Sequence, residues 1–218
     1  MRHRTVQDLM THTVITVRAE TSFKEVAVKL ADHGIDAVPV VDARDCPVGV
    51  VSETDLLRRE ASRPDPQGHL TGSSAPAGGQ GESAGELMTS PAVCAQPQWN
   101  VVEAARAMDG HQVKRLPVVD ETGKIVGIIS RGDLLRVFLR RDAAIREEIV
   151  YDVLDRTLGI GQQALHVAVS EGVATLRGSI EPPALHSAVL RLCQSVDGVV
   201  AVHELPLDAP AVRPGSRR

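Results

Sequence analysis

Aromatic side chains are nearly absent from this chain: two Phe, one Tyr and one Trp make up 2% of its 218 residues. That scarcity argues against a stacking platform for single-stranded nucleic acid, which needs several aromatics on one face. It argues equally against the Trp and Tyr belts of membrane proteins. Cysteine is also sparse. Cys46, Cys94 and Cys193 are odd in number and form no Cys-x-x-Cys pair, so they read as small buried hydrophobes in a reducing compartment. No apolar run approaches the roughly 20 residues needed to span a bilayer. The basic start Met1-Arg2-His3-Arg4 is not followed by an apolar segment, so no signal peptide is read and a cytoplasmic protein is expected. The net charge of −4 exerts no general pull toward nucleic acid or anionic lipid. Gly-x-x-x-x-Gly-Lys, His-Glu-x-x-His, Gly-x-Ser-x-Gly and a Rossmann glycine cluster are all missing, and no nucleophile stands with an obvious base. The expectation is a protein that is not an enzyme and requires no cofactor.

What is present is a repeat. His33-Gly34-Ile35-Asp36-Ala37-Val38-Pro39-Val40-Val41-Asp42 returns as His111-Gln112-Val113-Lys114-Arg115-Leu116-Pro117-Val118-Val119-Asp120, an offset of 78 residues. The same offset aligns Leu9-Met10-Thr11 with Leu87-Met88-Thr89. It also aligns the run from Gly49 to Arg58 with the run from Gly127 to Arg136. Three blocks in one register identify a duplicated unit. Two copies are too few for a solenoid, so a paired module with pseudo-twofold symmetry is expected.

Periodicity and punctuation divide each copy into elements. A short strand at 14–17 precedes Ser22, which opens a helix carrying Phe23, Val26, Ala27 and Leu30 at helical spacing; Gly34 stops it. Residues 37–41 and 48–52 read as strands around the turn Asp42-Ala43-Arg44-Asp45, and a last helix starts near Asp55. The second copy predicts a strand at 92–95, a helix at 101–108, strands at 116–119 and 125–130, and a helix from Asp133. Beyond the repeats, 144–158 and 184–196 are amphipathic helices. Residues 165–169 and 173–176 alternate as strands around Glu171-Gly172, and 199–205 reads as a last strand. The stretch from Ala61 to Ser83 is rich in Gly, Pro, Ser and Ala, the composition of a flexible linker, and 208–218 has the same character.

The motifs Leu-Met-Thr, h-x-x-h-Pro-Val-Val-Asp and Gly-h-h-Ser-x-x-Asp-Leu-Leu (h, apolar) resemble those of cystathionine β-synthase (CBS) domains, and two side by side resemble a Bateman module. Glu171-Gly172-Val173-Ala174-Thr175-Leu176-Arg177-Gly178 with Asp197-Gly198-Val199 resembles a BON domain. The implied fold class is α+β: two βαββα CBS repeats packed as a pseudo-twofold module, plus a small αββαβ BON domain. The implied boundaries are 1–60 and 84–141 for the repeats, 61–83 for the linker, 142–207 for the BON domain and 208–218 for a disordered tail.

Two turns carry the candidate chemistry. Ser52-Glu53-Thr54-Asp55 and Ser130-Arg131-Gly132-Asp133 have Ser-x-x-Asp at a strand-to-helix junction, which is a capping box needing no ligand. The CBS resemblance implies more. Asp55 and Asp133 would accept hydrogen bonds from the ribose of an adenosine ligand, beside Ser52, Thr54, Ser130, Arg131 and Gly132. Lys114 and Arg115 would contact phosphate, and Val38, Pro39, Leu116 and Pro117 would line the cleft. The copies differ in charge: Asp36 and Glu53 in the first stand where Lys114 and Arg131 stand in the second. Cations suit a phosphate, so the Asp133 cleft is expected to take the nucleotide. The pseudo-twofold pairing leaves open which cation serves which cleft. The expected ligand is an adenine nucleotide of the AMP, ADP or ATP type, with S-adenosylmethionine or a dinucleotide as alternatives. It would regulate an unknown protein target or the BON segment, within a homodimer. An alternative is an adaptor binding phospholipid or a hydrophobic partner through the BON domain; nucleic acid is the weakest reading. His33 and His111 are expected to be polar helix ends rather than metal ligands. Arg136, Arg140, Arg141 and Arg146 read as a solvated basic face.

Overall fold

The β-branched runs at the centre of each repeat pair into a two-stranded antiparallel sheet, on which the repeat's longer helices pack. The computed structural model describes residues 4–62, 83–161, 165–180 and 182–205. The expected tail at 208–218 and most of the expected linker lie outside these residues. Where the linker does fall within them it is structured: Ala61 ends a helix, and Ser83 starts another. The chain divides into two compact units, Thr5–Leu134, and Leu135–Arg218 with Met1–Arg4.

In the first unit the order is α1 (Val6–Leu9), α2 (Phe23–His33), β1 (Ala37–Val41), β2 (Pro47–Ser52) and α3 (Glu53–Ala61). It then repeats as α4 (Ala84–Leu87), α5 (Val101–Gly110), β3 (Arg115–Val119), β4 (Ile125–Ser130) and α6 (Arg131–Leu135). Local signals set the helix ends. Ser22 Oγ accepts the Glu25 amide at the start of α2, and Gly34 closes it in the left-handed region at φ 59°. At α5, Asn100 and Glu103 exchange side-chain to backbone hydrogen bonds at 3.0 and 2.8 Å, a reciprocal cap worth on the order of 1 kcal/mol. Register then places the cleft residues. Ala37 lies opposite Ser52 and Arg115 opposite Ser130, so each first strand begins beside a helix-opening turn.

The expected strands at 14–17 and 92–95 are reduced to single bridges, Val17 to Val40 and Ala95 to Val118. Val17 N donates to Pro39 O and accepts, through its carbonyl, from Val41 N. The next step of a parallel ladder would need the amide of residue 39 to donate to residue 15. Pro39 has no N–H, and Pro117 stops the second copy in the same way.

The repeats exchange their leaders. Thr11 and Ile128 bond each other's backbone at 2.9 and 3.0 Å, while Val6 N donates to Trp99 O and Gln7 N to Pro97 O. The mirror contacts are Thr89 with Val50, Ala84 N to Thr21 O and Gly85 N to Ala19 O. Each Leu-Met-Thr segment therefore docks on the opposite repeat. The side chains follow: Met10 covers Gly127 and Met88 covers Gly49, so closely that an added Cβ would lie 2.3 and 2.4 Å from the sulfurs. The crossing accounts for both glycines, which no turn requires.

The second unit contains a 3-10 turn (Arg136–Leu139), α7 (Asp142–Glu147) running on as a π-helix (Glu148–Thr157), β5 (Leu165–Ser170), β6 (Val173–Gly178), α8 (His186–Gln194) and β7 (Ala201–Leu205). This is the expected αββαβ order. The sheet order is β5-β6-β7, with β6 central, antiparallel to β5 and parallel to β7. Ile145, Ile149, Val153 and Leu154 pack on Ala174, Leu176, Val189 and Cys193. Burial of each large aliphatic side chain contributes roughly 1.5–3 kcal/mol. Glu171 and Gly172 both have positive φ, 51° and 73°, as a tight hairpin turn requires. The Asp142 carboxylate accepts both of their amides at 2.8 and 2.9 Å. The basic stretch is not simply a solvated face. Arg140 pairs with Glu148 and donates to Asp197 O, each at 2.8 Å, and Arg146 donates to Val167 O at 2.9 Å.

Candidate ligand-binding cleft

Both Ser-x-x-Asp turns form capping boxes. Asp55 Oδ2 accepts from Ser52 N at 2.9 Å and Ser52 Oγ at 2.7 Å. Asp133 Oδ2 accepts from Ser130 N and Ser130 Oγ at the same distances. A carboxylate has two oxygens, and the cap uses one. Asp55 Oδ1 faces Arg58 Nη1 at 3.3 Å, across a guanidinium that is 74% exposed. The Asp55 side chain is itself 11% exposed and lines a cleft; a ligand hydroxyl would bind Oδ1 by replacing or sharing the Arg58 contact, with the cap on Oδ2 kept.

A cleft of about 600 Å³ opens at the Asp55 turn, within the size range of small-molecule sites. The first repeat contributes Asp36, Ala37, Val50, Ser52–Asp55 and Arg58. The second contributes Thr89, Pro91–Val93 and His111–Arg115. The leader exchange causes this mixed lining, because Thr89 is carried across to Val50 and brings the following segment with it. The lining therefore combines Asp55 from one repeat with His111, Lys114 and Arg115 from the other.

Which cleft Lys114 and Arg115 line, left open by the sequence, is seen in the structure. Lys114 and Arg115 line the Asp55 cleft. Arg131, the other cation assigned to the Asp133 turn, donates to Val113 O at 3.1 Å and is held on its own repeat. Gly132 has ordinary room around it: an added Cβ would find only Ser130 Oγ, at 3.6 Å. Asp133 itself is buried, at 9% exposure.

The strand residues also need correction. Val38, Pro39, Leu116 and Pro117 are buried core residues and do not line the cleft. All five residues of β1 are buried, because the strand is covered on both faces. Of β1 and β3, only the first residues, Ala37 and Arg115, reach the opening. Gln112, Thr89 and Pro91–Val93 were not singled out from the sequence, and His111 was read only as a polar helix end. The signal available was the paired repeat itself, which implies that each cleft draws on both copies.

Arg115 is the most constrained cation. Its side chain is 16% exposed and forms an ion pair with Asp36 across the repeat boundary. Burial lowers its pKa, and the Asp133 charge partly opposes that shift. A second concavity of about 460 Å³ is lined by Gln96–Gln98 and Val119–Thr122. Its Asp120 is occupied by the turn: hydrogen bonds from the Thr122 hydroxyl and from the Lys124 and Thr122 amides hold its carboxyl below the usual range. Among the described residues no group of three His, Cys, Asp or Glu could hold a metal ion. No helix there is long and apolar enough to cross a membrane.

The CBS domain pattern matches residues 6–62 and 84–140, and the BON domain pattern matches 142–205. An uncharacterized protein of Methanopyrus kandleri is 30% identical over 149 residues, covering 68% of this chain and 70% of that protein. The CBS domain-containing protein YhcV of Bacillus subtilis is 31% identical over 130 residues, covering 59% of this chain and 81% of YhcV. A homoserine O-acetyltransferase of Methanococcoides burtonii is 28% identical, but the match spans only 25% of its length. The CBS domain pair of protein MJ0100, in complex with 5′-methylthioadenosine and S-adenosyl-L-methionine, superposes with a TM-score of 0.52 at 25% identity, over 63% of this chain and 97% of that one. CBSX2 of Arabidopsis thaliana, in complex with AMP, superposes with a TM-score of 0.50 at 32% identity, over 62% and 96%. The doubled motif, the α+β pair and the C-terminal αββαβ unit agree with these matches: the chain belongs to the CBS domain family, as a tandem CBS pair followed by a BON domain.

Proposed function

We propose that the protein is a non-catalytic regulatory binder whose CBS pair takes an adenosine-containing ligand in the cleft at Asp55. The observation that carries this reading is the pairing of one ribose-type acceptor with cations from the opposite repeat. Asp55 Oδ1 would accept from the ribose hydroxyls, while Lys114, Arg115 and His111 would face the phosphate. Charge-assisted hydrogen bonds of this kind contribute about 1.5–3 kcal/mol each. The complexes of CBSX2 with AMP and of the MJ0100 pair with methylthioadenosine and S-adenosyl-L-methionine support the ligand class.

A ligand in this cleft touches both repeats and so favours one arrangement of the pair over others. The shift it can impose is limited by its differential affinity for the two arrangements. Occupancy would then be read by a partner protein or by the BON domain, in a cytoplasmic homodimer. Thermal-shift measurements with AMP, ADP, ATP, S-adenosylmethionine and adenosine test the reading. Ligand at 100 times its dissociation constant stabilises the folded state by about 2.7 kcal/mol. Stabilisation by at least one of these, lost in Asp55→Asn, is expected; no response to any of them would overturn it. Liposome co-sedimentation separates this reading from the adaptor alternative.

A further inference from the structure

Asp36 has the wrong charge for the site it stands in. It is the repeat equivalent of Lys114, yet both line the same cleft, and Asp36 holds the Arg115 guanidinium in an ion pair. Its backbone is anchored independently, since its carbonyl accepts the Glu53 amide at 2.9 Å. The Asp36 backbone is thus held beside the first turn of α3, at Glu53, two residues before Asp55. We propose that Asp36 is a specificity-determining residue, an internal anion that competes with ligand phosphate for Arg115 and so limits how strongly the cleft prefers phosphorylated over uncharged adenosine ligands. This rests on the proposed adenosine reading of the cleft.

The chemistry follows from the geometry. A phosphate entering between Lys114 and Arg115 must displace the Asp36 carboxylate or share the guanidinium with it. Either route weakens phosphate binding, and each further phosphate adds repulsion from the same carboxylate. An uncharged adenosine, held at Asp55, would not meet this competition. Arg115 has little room to serve both partners, because its side chain is largely buried and its backbone is pinned opposite Ser130 in the β3–β4 pair.

Calorimetry with AMP, ATP and adenosine on the full chain tests the proposal, using wild type, Asp36→Asn, Arg115→Gln and the double variant. Asp36→Asn is isosteric and keeps the backbone contact. It is expected to tighten AMP about three- to tenfold, ATP more, and adenosine not at all. The gain should shrink in added salt and should largely disappear in the Arg115→Gln background. AMP affinity unchanged or weakened by Asp36→Asn would overturn the proposal. So would an equal gain for adenosine, or a gain undiminished without Arg115. If neither wild type nor Asp36→Asn binds any of the three, the adenosine reading itself fails, and the proposal with it.

Discussion

Substituting Gly127 by Ala tests the leader exchange, because its consequence depends on which methionine covers the glycine. No positive φ marks Gly127, so alanine fits its backbone, and the change alone would stabilise by about 0.4–1 kcal/mol through the unfolded chain. Sterics oppose this. The new Cβ would lie 2.3 Å from Met10 Sδ and 3.0 Å from both Cγ and Cε. Met10 is 8% exposed, so its side chain must move within packed surroundings. Overpacking of this kind costs about 1–3 kcal/mol, leaving a net loss of roughly 0–2.5 kcal/mol. Met10→Ala alone costs about 2–5 kcal/mol, as a buried large-to-small change. In the double variant the clash is gone, so Gly127→Ala should become neutral or slightly stabilising, a coupling of about 1–3 kcal/mol. Urea unfolding followed by Trp99 fluorescence reads each variant. Met88→Ala is the control, since Met88 covers Gly49 instead. Relief of Gly127→Ala by Met88→Ala rather than by Met10→Ala would refute the crossed arrangement, and additivity with Met10→Ala would refute the interlock.

Other consequences are local to the C-terminal unit. Asp142→Ala leaves the Glu171 and Gly172 amides without their acceptor; a loss of about 1–3 kcal/mol is expected, with faster hydrogen exchange at both amides and unchanged exchange in β1 and β2. Burial pushes the Cys193 thiol up to about 11. The thiol ionises near 8.5 when unfolded, so the stability it contributes is complete below that pH and is lost as pH rises toward 11. The loss is on the order of 2–3 kcal/mol. Circular-dichroism melts should show this slope in wild type and not in Cys193→Ala; equal slopes would contradict it.

What could be read from the sequence was local or repeated. Ser22, Gly34 and the two Ser-x-x-Asp turns act over three or four residues, and each is found where its spacing places it. The offset of 78 residues identifies the pair and the module. What escaped depends on contacts between distant segments. Pro39 interrupts a ladder only once its partner, Val17, is known. Likewise, the offset says that Met10 and Met88 are equivalent, not that each packs on the other repeat. The same gap left the cations unassigned: the repeat offset does not say which cleft Lys114 and Arg115 line, whereas the folded pair sets both in one lining with Asp55. Val38 and Leu116 lie in the expected strands, but coverage of both faces makes them core.

The cleft lined by Asp55, Lys114 and Arg115 is proposed as the nucleotide site. Calorimetric titration of AMP into Asp55→Asn, Lys114→Ala and Asp133→Asn compares the two turns directly. Losing a charge-assisted contact costs about 1.5–3 kcal/mol, or roughly 10–150-fold in affinity. The expected result is a loss of that size in Asp55→Asn and Lys114→Ala, with the tightest site retained in Asp133→Asn. Abolition of that site by Asp133→Asn, with Asp55→Asn and Lys114→Ala unaffected, would contradict the account.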